Sequence, residues 1–415
     1  MNWQLARYLI GSGIATLADR LAQIQLLSII VMAGPDGQGL GSNTLALLLP
    51  SVLFAYVFGT FIDKNDQRKF LISTTLLRGI FLLTLPTVLT MTGATGPTIP
   101  LSIFILSSFI AADVITNFAI IPKLVTASIQ LRRTNAFVLI MNGAITLFVI
   151  LQAPSLADYW LPHESMRLCA ALYFAAMCSF WAIDRSKTKP AVITSNDMKE
   201  LAEFFQTKTG AISLFRLGFF THVGHLIFYA LFLVFSLQNT QLSNAQSVSL
   251  YTSAAVGFCV GGLLSLTFFN NFKASSVLAL GTLIQALNCV IFAASGNSNL
   301  ALKIFLFLAG TTGATTIIAI DTLLQKKMSA NVRAKIYGAI VCLSAGAYTI
   351  AAVGVEQIAT QYAAVTIFRA TAAGWLAYAT VVALGSNALR RKMFKPKMKA
   401  LEKQASKTAS TVGNK

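Results

Sequence analysis

Asp19 sits about 12 residues into an apolar run that begins at Tyr8. On a helix rising 1.5 Å per residue, that places the carboxylate roughly 17 Å along the axis. Its helical neighbours Ala15, Thr16, Ala22 and Gln23 form a small, partly polar face. A carboxylate there can exchange a proton or hold a cation, with Gln23 beside it. It can equally form a structural ion pair, with Arg20 or with a group on the fifth, seventh or eleventh apolar run. His222 and His225, in the sequence Thr-His-Val-Gly-His, are spaced i, i+3 and share one helix face. Imidazole titrates near neutral pH, so the pair can handle protons or contact a substrate. With Asp19 as a third ligand the pair could begin a transition-metal site, or both can be hydrogen-bonded core histidines. Arg216 lies about one and a half turns inside the same run and can snorkel inward or contact a substrate. Arg78 and Asp113 each lie about eight residues from the ends of successive, oppositely directed runs. Equal depth predicts an ion pair between them, structural or gating in role.

The elements that carry these residues are long apolar stretches. The chain is 55% hydrophobic and 11% charged, with a mean hydropathy of +0.69. That composition excludes an ordinary soluble domain. Runs of 20 or so apolar residues are predicted to be membrane-crossing helices, because a helix satisfies its own backbone hydrogen bonds in lipid. Twelve are predicted, near 8–32, 43–62, 70–92, 99–121, 134–155, 166–184, 210–236, 246–269, 275–295, 300–324, 336–358 and 362–384. The gaps between them alternate between basic and almost free of Lys/Arg. Arg7, the alternate gaps and the tail from Arg390 hold 26 of the 32 basic residues. Because basic loops stay cytoplasmic, both termini are predicted in the cytoplasm. The net charge of +18 is thus an orientation signal, and no nucleic-acid partner is expected. The basic tail can touch anionic lipid.

The longest polar gap, Arg185 to Thr209, divides the runs six and six. The reading is a six-helix bundle over 1–185, a linker over 186–209 with a short surface helix near Asn196 to Phe205, a second bundle over 210–385 and a tail over 386–415. The halves repeat. At a constant spacing of 203, Lys123 matches Lys326, Thr126 matches Ser329, Ala127 matches Ala330, Arg132 matches Lys335 and Ala136 matches Ala339. Two parallel six-helix repeats around a central cavity form a plan for alternating access.

The loop after the second run reads Gly59-Thr-Phe-Ile-Asp63-Lys64-Asn65-Asp66-Gln67-Arg68-Lys69. It resembles the G-x-x-x-D-[RK]-x-[GD]-x-[RK]-[RK] loop of the major facilitator superfamily. The Asp66 variant is similar to that of the drug-exporter branch, which includes macrolide efflux proteins and the enterobactin exporter. Leu76 to Phe81 (LLRGIF), Thr134-Asn135-Ala136 and Ile320 to Lys327 (IDTLLQKK) extend the likeness, the last also to lysophospholipid transporters. Gly59 permits close helix approach, and Asp63 can cap a helix end and then hold a charge-assisted contact across the interface between halves. Together with Lys64, Arg68 and Lys69 it is expected to latch a cytoplasmic gate. The exporter signature G-x-x-x-G-P-x-x-G-G is degenerate here, since the fifth run offers only Gly143 and a late Pro154.

The resemblance implies a monomeric secondary transporter of a bacterial inner membrane, exporting a small amphipathic compound against protons. In that reading Asp19 takes the coupling proton and His222 and His225 assist. Asp321 is expected to cap its helix or contact Lys326, and Glu356 to pair with Arg369. A lysophospholipid or metabolite carrier, a transition-metal exporter and a non-transporting scaffold or sensor are the alternatives. No phosphate-cradling loop and no nucleophile–base set occurs, so neither an enzyme nor a cofactor is expected. The five cysteines fall inside apolar runs, where they behave as small hydrophobes.

Overall fold

A computed structural model describes residues 3–33, 40–92, 98–125, 128–159, 162–185, 212, 214–223, 244–295, 298–362, 366–367, 369–378 and 380. The linker helix, His225 and the basic tail lie outside these residues. Helices are α1 (Trp3–Ala33), α2 (Leu40–Lys64), α3 (Gln67–Thr92), α4 (Thr98–Leu124), α5 (Ser128–Tyr159) and α6 (Pro162–Trp181) in the first half. The second half holds α7 (214–223), α8 (Asn244–Leu266), α9 (Ala274–Ser295), α10 (Asn299–Lys327), α11 (Arg333–Gln361) and α12 (369–378). No strand occurs among the described residues.

Each of the twelve predicted runs contains helix, and several helices outrun the apolar stretch. α5 begins six residues before 134, and α10 continues to Lys327 rather than 324. Apolar length measures only the lipid-crossing part; polar turns continue the helix into the interface. Among the described residues seven helices are long and apolar enough to cross a bilayer. Large apolar side chains also face outward, such as Leu53, Val57 and Phe61 on α2 and Leu77, Ile80 and Leu83 on α3. A soluble protein does not expose such a belt, whereas lipid solvates it.

The interior falls into three clusters. One is confined to the first half and packs α1, α3, α4 and α6 around Tyr8, Leu82 and Tyr173. Another is confined to the second half, around Phe292, Phe305 and Trp375. The third joins the halves: Ala55, Ile62 and Phe118 pack with Ile320, Leu324, Tyr337 and Ile340. It lies toward the end that carries the basic loops, which their charge assigns to the cytoplasm.

Candidate functional site

α2 and α11 meet across the halves at the end that carries the basic loops. A Cβ on Gly59 would lie 2.4 Å from the Ala334 carbonyl oxygen, and one on Gly338 would lie 2.3 Å from that of Ala55. Neither contact leaves room for a side chain, so the two glycines let the backbones touch. One turn on, Asp63 is buried and accepts two backbone N–H bonds from the first turn of α11. Ala334 donates to Oδ1 at 3.0 Å and Lys335 to Oδ2 at 2.8 Å. A helix N-terminus carries unsatisfied N–H groups and partial positive charge, so one half supplies the cap for a helix of the other.

Neighbouring contacts also cross between halves. Asn135 of α5 donates to Thr322 Oγ1 at 2.9 Å and to Gln325 Oε1 at 2.7 Å, while Gln325 donates to the Phe118 carbonyl at 3.0 Å. Arg132 reaches the Phe272 carbonyl at 2.8 Å. Arg68 donates to the carbonyls of Phe180 and Trp181, within its own half. Lys64 and Lys69 are exposed. Asp66 caps α3, accepting from the Arg68 N–H at 3.0 Å.

Asp19 does not stand alone. Arg78, fully buried, donates to both its oxygens, at 2.9 and 3.1 Å, and Tyr173 donates to Oδ1. The other end of the same guanidinium bonds Asp113 Oδ2, and Thr74 donates to Asp113 Oδ1 at 2.9 Å. All four carboxylate oxygens therefore accept a hydrogen bond, and Arg78 lies 4.8 Å over the Tyr173 ring. The equal-depth pair of Arg78 and Asp113 is present, and Asp19 joins it from α1. Arg20 does not pair with Asp19; it donates to Gln23 at 2.9 Å. Asp19 and His222 thus have separate partners, in opposite halves. Among the described residues no three His, Cys, Asp or Glu side chains converge on a metal-sized site.

His222 has partners that the sequence did not indicate. Its Nδ1 is 2.8 Å from the Gly218 carbonyl, its Nε2 is 3.4 Å from the Tyr337 hydroxyl, and Asp321 Oδ1 lies 3.8 Å from Nε2. Asp321 therefore points toward α7 rather than toward Lys326. Its Oδ1 is buried without a hydrogen-bond partner. Glu356 falls outside the side chains the structure describes. Arg216 is exposed on α7.

A cavity of about 330 Å³ lies between the halves. α2 and α4 give it Leu48, Ser51 and Val114, and the second half supplies the rest of the wall. Its exposed surface is overwhelmingly apolar, and His222 and Tyr337 lie on it. Tyr337 is stacked on Phe118 of the other half, ring centroids 3.7 Å apart and planes 2° from parallel. Asp19 and Gln23 do not line the cavity; Asp19 meets Arg78 and Tyr173 of the first half, and Gln23 accepts from Arg20.

The spacing of 203 that relates the two basic loops also relates Asp19 to His222, Gly59 to Gly262 and Gly143 to Gly346. Gly262 and Gly143 sit on the α5–α8 contact, facing Ile140 and Cys259, as Gly59 and Gly346 sit on the α2–α11 contact. The two cross-half interfaces are copies of one design. Two six-helix repeats with a cavity between them form the architecture of a membrane carrier.

The sequence model of the Major Facilitator Superfamily matches residues 5–352, and the chain belongs to that family. No curated protein sequence matches it. Solved structures show the same fold. A bacterial homologue of the iron transporter ferroportin, in an outward-facing state, is 13% identical with a TM-score of 0.73, covering 92% of this chain and 99% of its own. The E. coli fucose:proton symporter FucP is 13% identical with a TM-score of 0.70, covering 92% and 98%. The human organic anion transporter MFSD10 (TETRAN) is 14% identical with a TM-score of 0.67, covering 92% and 98%. The protein is therefore a membrane transporter of a small molecule, not an enzyme.

Proposed function

We propose that this protein exports a small amphipathic compound from the cytoplasm of a bacterial cell, across its inner membrane, in exchange for protons. The observation that carries the reading is the apolar cavity between the halves, sealed toward the cytoplasm by the Asp63 cap on α11. Alternating access requires a closure that is strong enough to hold and local enough to break. Two backbone hydrogen bonds to one carboxylate, with stacked Phe118 and Tyr337 above, meet both conditions.

The apolar wall favours a compound with a hydrophobic body over a sugar such as the fucose named for FucP, which needs a dense set of hydrogen-bond partners. Proton coupling is supported by the ionisable pair held inside the membrane beside the cavity, His222 and Asp321, since such groups mark proton or substrate paths. The test uses inverted membrane vesicles acidified inside, with a pH-sensitive dye. Amphipathic cations, siderophores, lysolipids and divalent metals are added in turn. Proton efflux on adding one class, absent from vesicles lacking the protein, establishes antiport and names the class. Silence across the whole panel removes the exporter reading for it.

A further inference from the structure

We propose that the transported proton is held between His222 and Asp321 rather than at Asp19, and that a lipophilic monovalent cation displaces it from the cavity. This rests on the proton-coupled reading above and names its proton site and substrate class.

The backbone partner of His222 fixes its tautomer. A carbonyl oxygen only accepts, so the 2.8 Å contact with Gly218 requires the hydrogen on Nδ1. Nε2 is then the ring atom that gains or loses a proton. It faces Asp321 Oδ1 at 3.8 Å, and that oxygen is buried with no hydrogen-bond partner. A bare carboxylate oxygen in a buried site is costly. One proton shared by the two groups removes the cost. On Nε2 it makes an imidazolium–carboxylate pair, and on Oδ1 a neutral acid beside a neutral imidazole. Either state has no net charge. Loss of the proton leaves one negative charge.

Among the described residues no other group neutralises that charge; Lys326 and Lys327 lie in the last turn of its own helix. Among the described residues the one ion-pair contact of Asp321 is with His222. From α11 it is Tyr337 that approaches, while Arg333 is bonded to the Met328 carbonyl and Lys335 belongs to the first turn at the Asp63 cap. From α4 it is Phe118, stacked on Tyr337, with Lys123 in that helix's last turn. From α12 Tyr378 contacts Thr221 and the Leu217 carbonyl, on α5 Arg132 is bonded to the Phe272 carbonyl, and Arg216 is exposed. His225, on the next turn of the same run, lies outside the described residues. In contrast, each oxygen of Asp19 already accepts from Arg78 or Tyr173.

The ligand class follows from the charge left behind. A monovalent cation in the cavity restores neutrality when the proton leaves; a neutral compound does not, and an anion makes the imbalance worse. The aromatic rings of Tyr251, Phe258 and Tyr337 on the cavity wall suit a cation with an apolar body. Gln285 and Ser344, both buried on the cavity wall, present polar side-chain atoms without hydrogen-bond partners and can bond a polar group of the ligand. Tyr337 links the exchange to the gate. Its hydroxyl can donate to neutral Nε2 but not to a protonated one, and its ring is half of the stack that floors the cavity.

The test titrates the purified protein in detergent with tetraphenylphosphonium, by calorimetry in two buffers of different ionisation enthalpy. The expected result is release of about one proton per cation bound, with affinity falling about tenfold per pH unit toward acid. Both should vanish in Asp321→Asn and persist in Asp19→Asn. His222→Gln should keep the release but move the pH at which affinity begins to fall. Release unchanged in Asp321→Asn, or lost in Asp19→Asn instead, overturns the assignment of the proton. Binding of tetraphenylborate in place of the phosphonium overturns the charge of the ligand. Proton release on binding without proton-driven efflux from vesicles would remove the exporter reading and leave this site intact.

Discussion

The two halves answer the same problem differently at equivalent positions. Asp19 in the first half meets an arginine that also holds Asp113, and Tyr173 and Thr74 complete the set. Each acceptor there has its donor. His222, 203 residues later, meets one carboxylate whose nearer oxygen has no donor, beside a tyrosine that lines the cavity. A saturated network resists change because every removal exposes a partner. An unsaturated pair has one proton to gain or lose. Duplication thus supplied two copies of a site, and the difference in partners makes the first a strut and the second a candidate switch.

The largest effect expected from breaking this contrast is at Arg78. Arg78→Met leaves two buried carboxylates facing each other, which should cost about 3–5 kcal/mol. The detergent-solubilised protein should then melt far below the native form or fail to accumulate. Adding Asp19→Asn and Asp113→Asn to Arg78→Met should recover much of that loss. Next, Asp19→Asn alone leaves Arg78 paired with Asp113 and should cost about 1–3 kcal/mol in the same melt.

The cytoplasmic closure should give a smaller change. Asp63→Asn keeps one acceptor for the first turn of α11 but removes the charge, worth about 1 kcal/mol at a helix N-terminus. The ratio of closed to open forms should fall about fivefold, read as faster alkylation of Cys342, whose thiol donates to the Val52 carbonyl at 3.0 Å across the α2–α11 contact. The smallest expected change, with the opposite sign, is at Asp321. Asp321→Asn removes a carboxylate with an unsatisfied oxygen, so stability should hold or rise by up to about 1 kcal/mol. A loss as large as that of Asp19→Asn would mean that the two regions are alike after all.

Much of this contrast was hidden in the sequence, for physical reasons that can be named. The pairing of Arg78 with Asp113 was legible because depth along antiparallel helices fixes which groups can meet. Asp19 was not placed beside them, since a long arginine side chain reaches more than one depth and more than one helix. Asp63 was legible as a cap and as a contact across the halves because glycine and carboxylate keep a fixed spacing in a short loop; that the helix it caps is α11 was not. Arg68 stands at an equally regular place, yet it serves the end of α6. Asp321 was misread because the apolar stretch ends near 324. α10 runs on to Lys327, so Asp321 lies a turn deeper than hydropathy suggests and meets His222. The repeat at 203 carried the missing signal: it pairs Asp19 with His222 and so asks what the second half offers in place of Arg78, where it has Gly281.

The most direct test of where the proton resides needs no ligand. Infrared difference spectra of the purified protein are recorded between acid and alkaline pH, over roughly pH 5 to 9. The account predicts a protonation signal of a carboxyl or imidazole that disappears in Asp321→Asn, shifts in His222→Gln and is unchanged in Asp19→Asn. A signal that survives Asp321→Asn and vanishes in Asp19→Asn would place the proton in the first half and contradict the account.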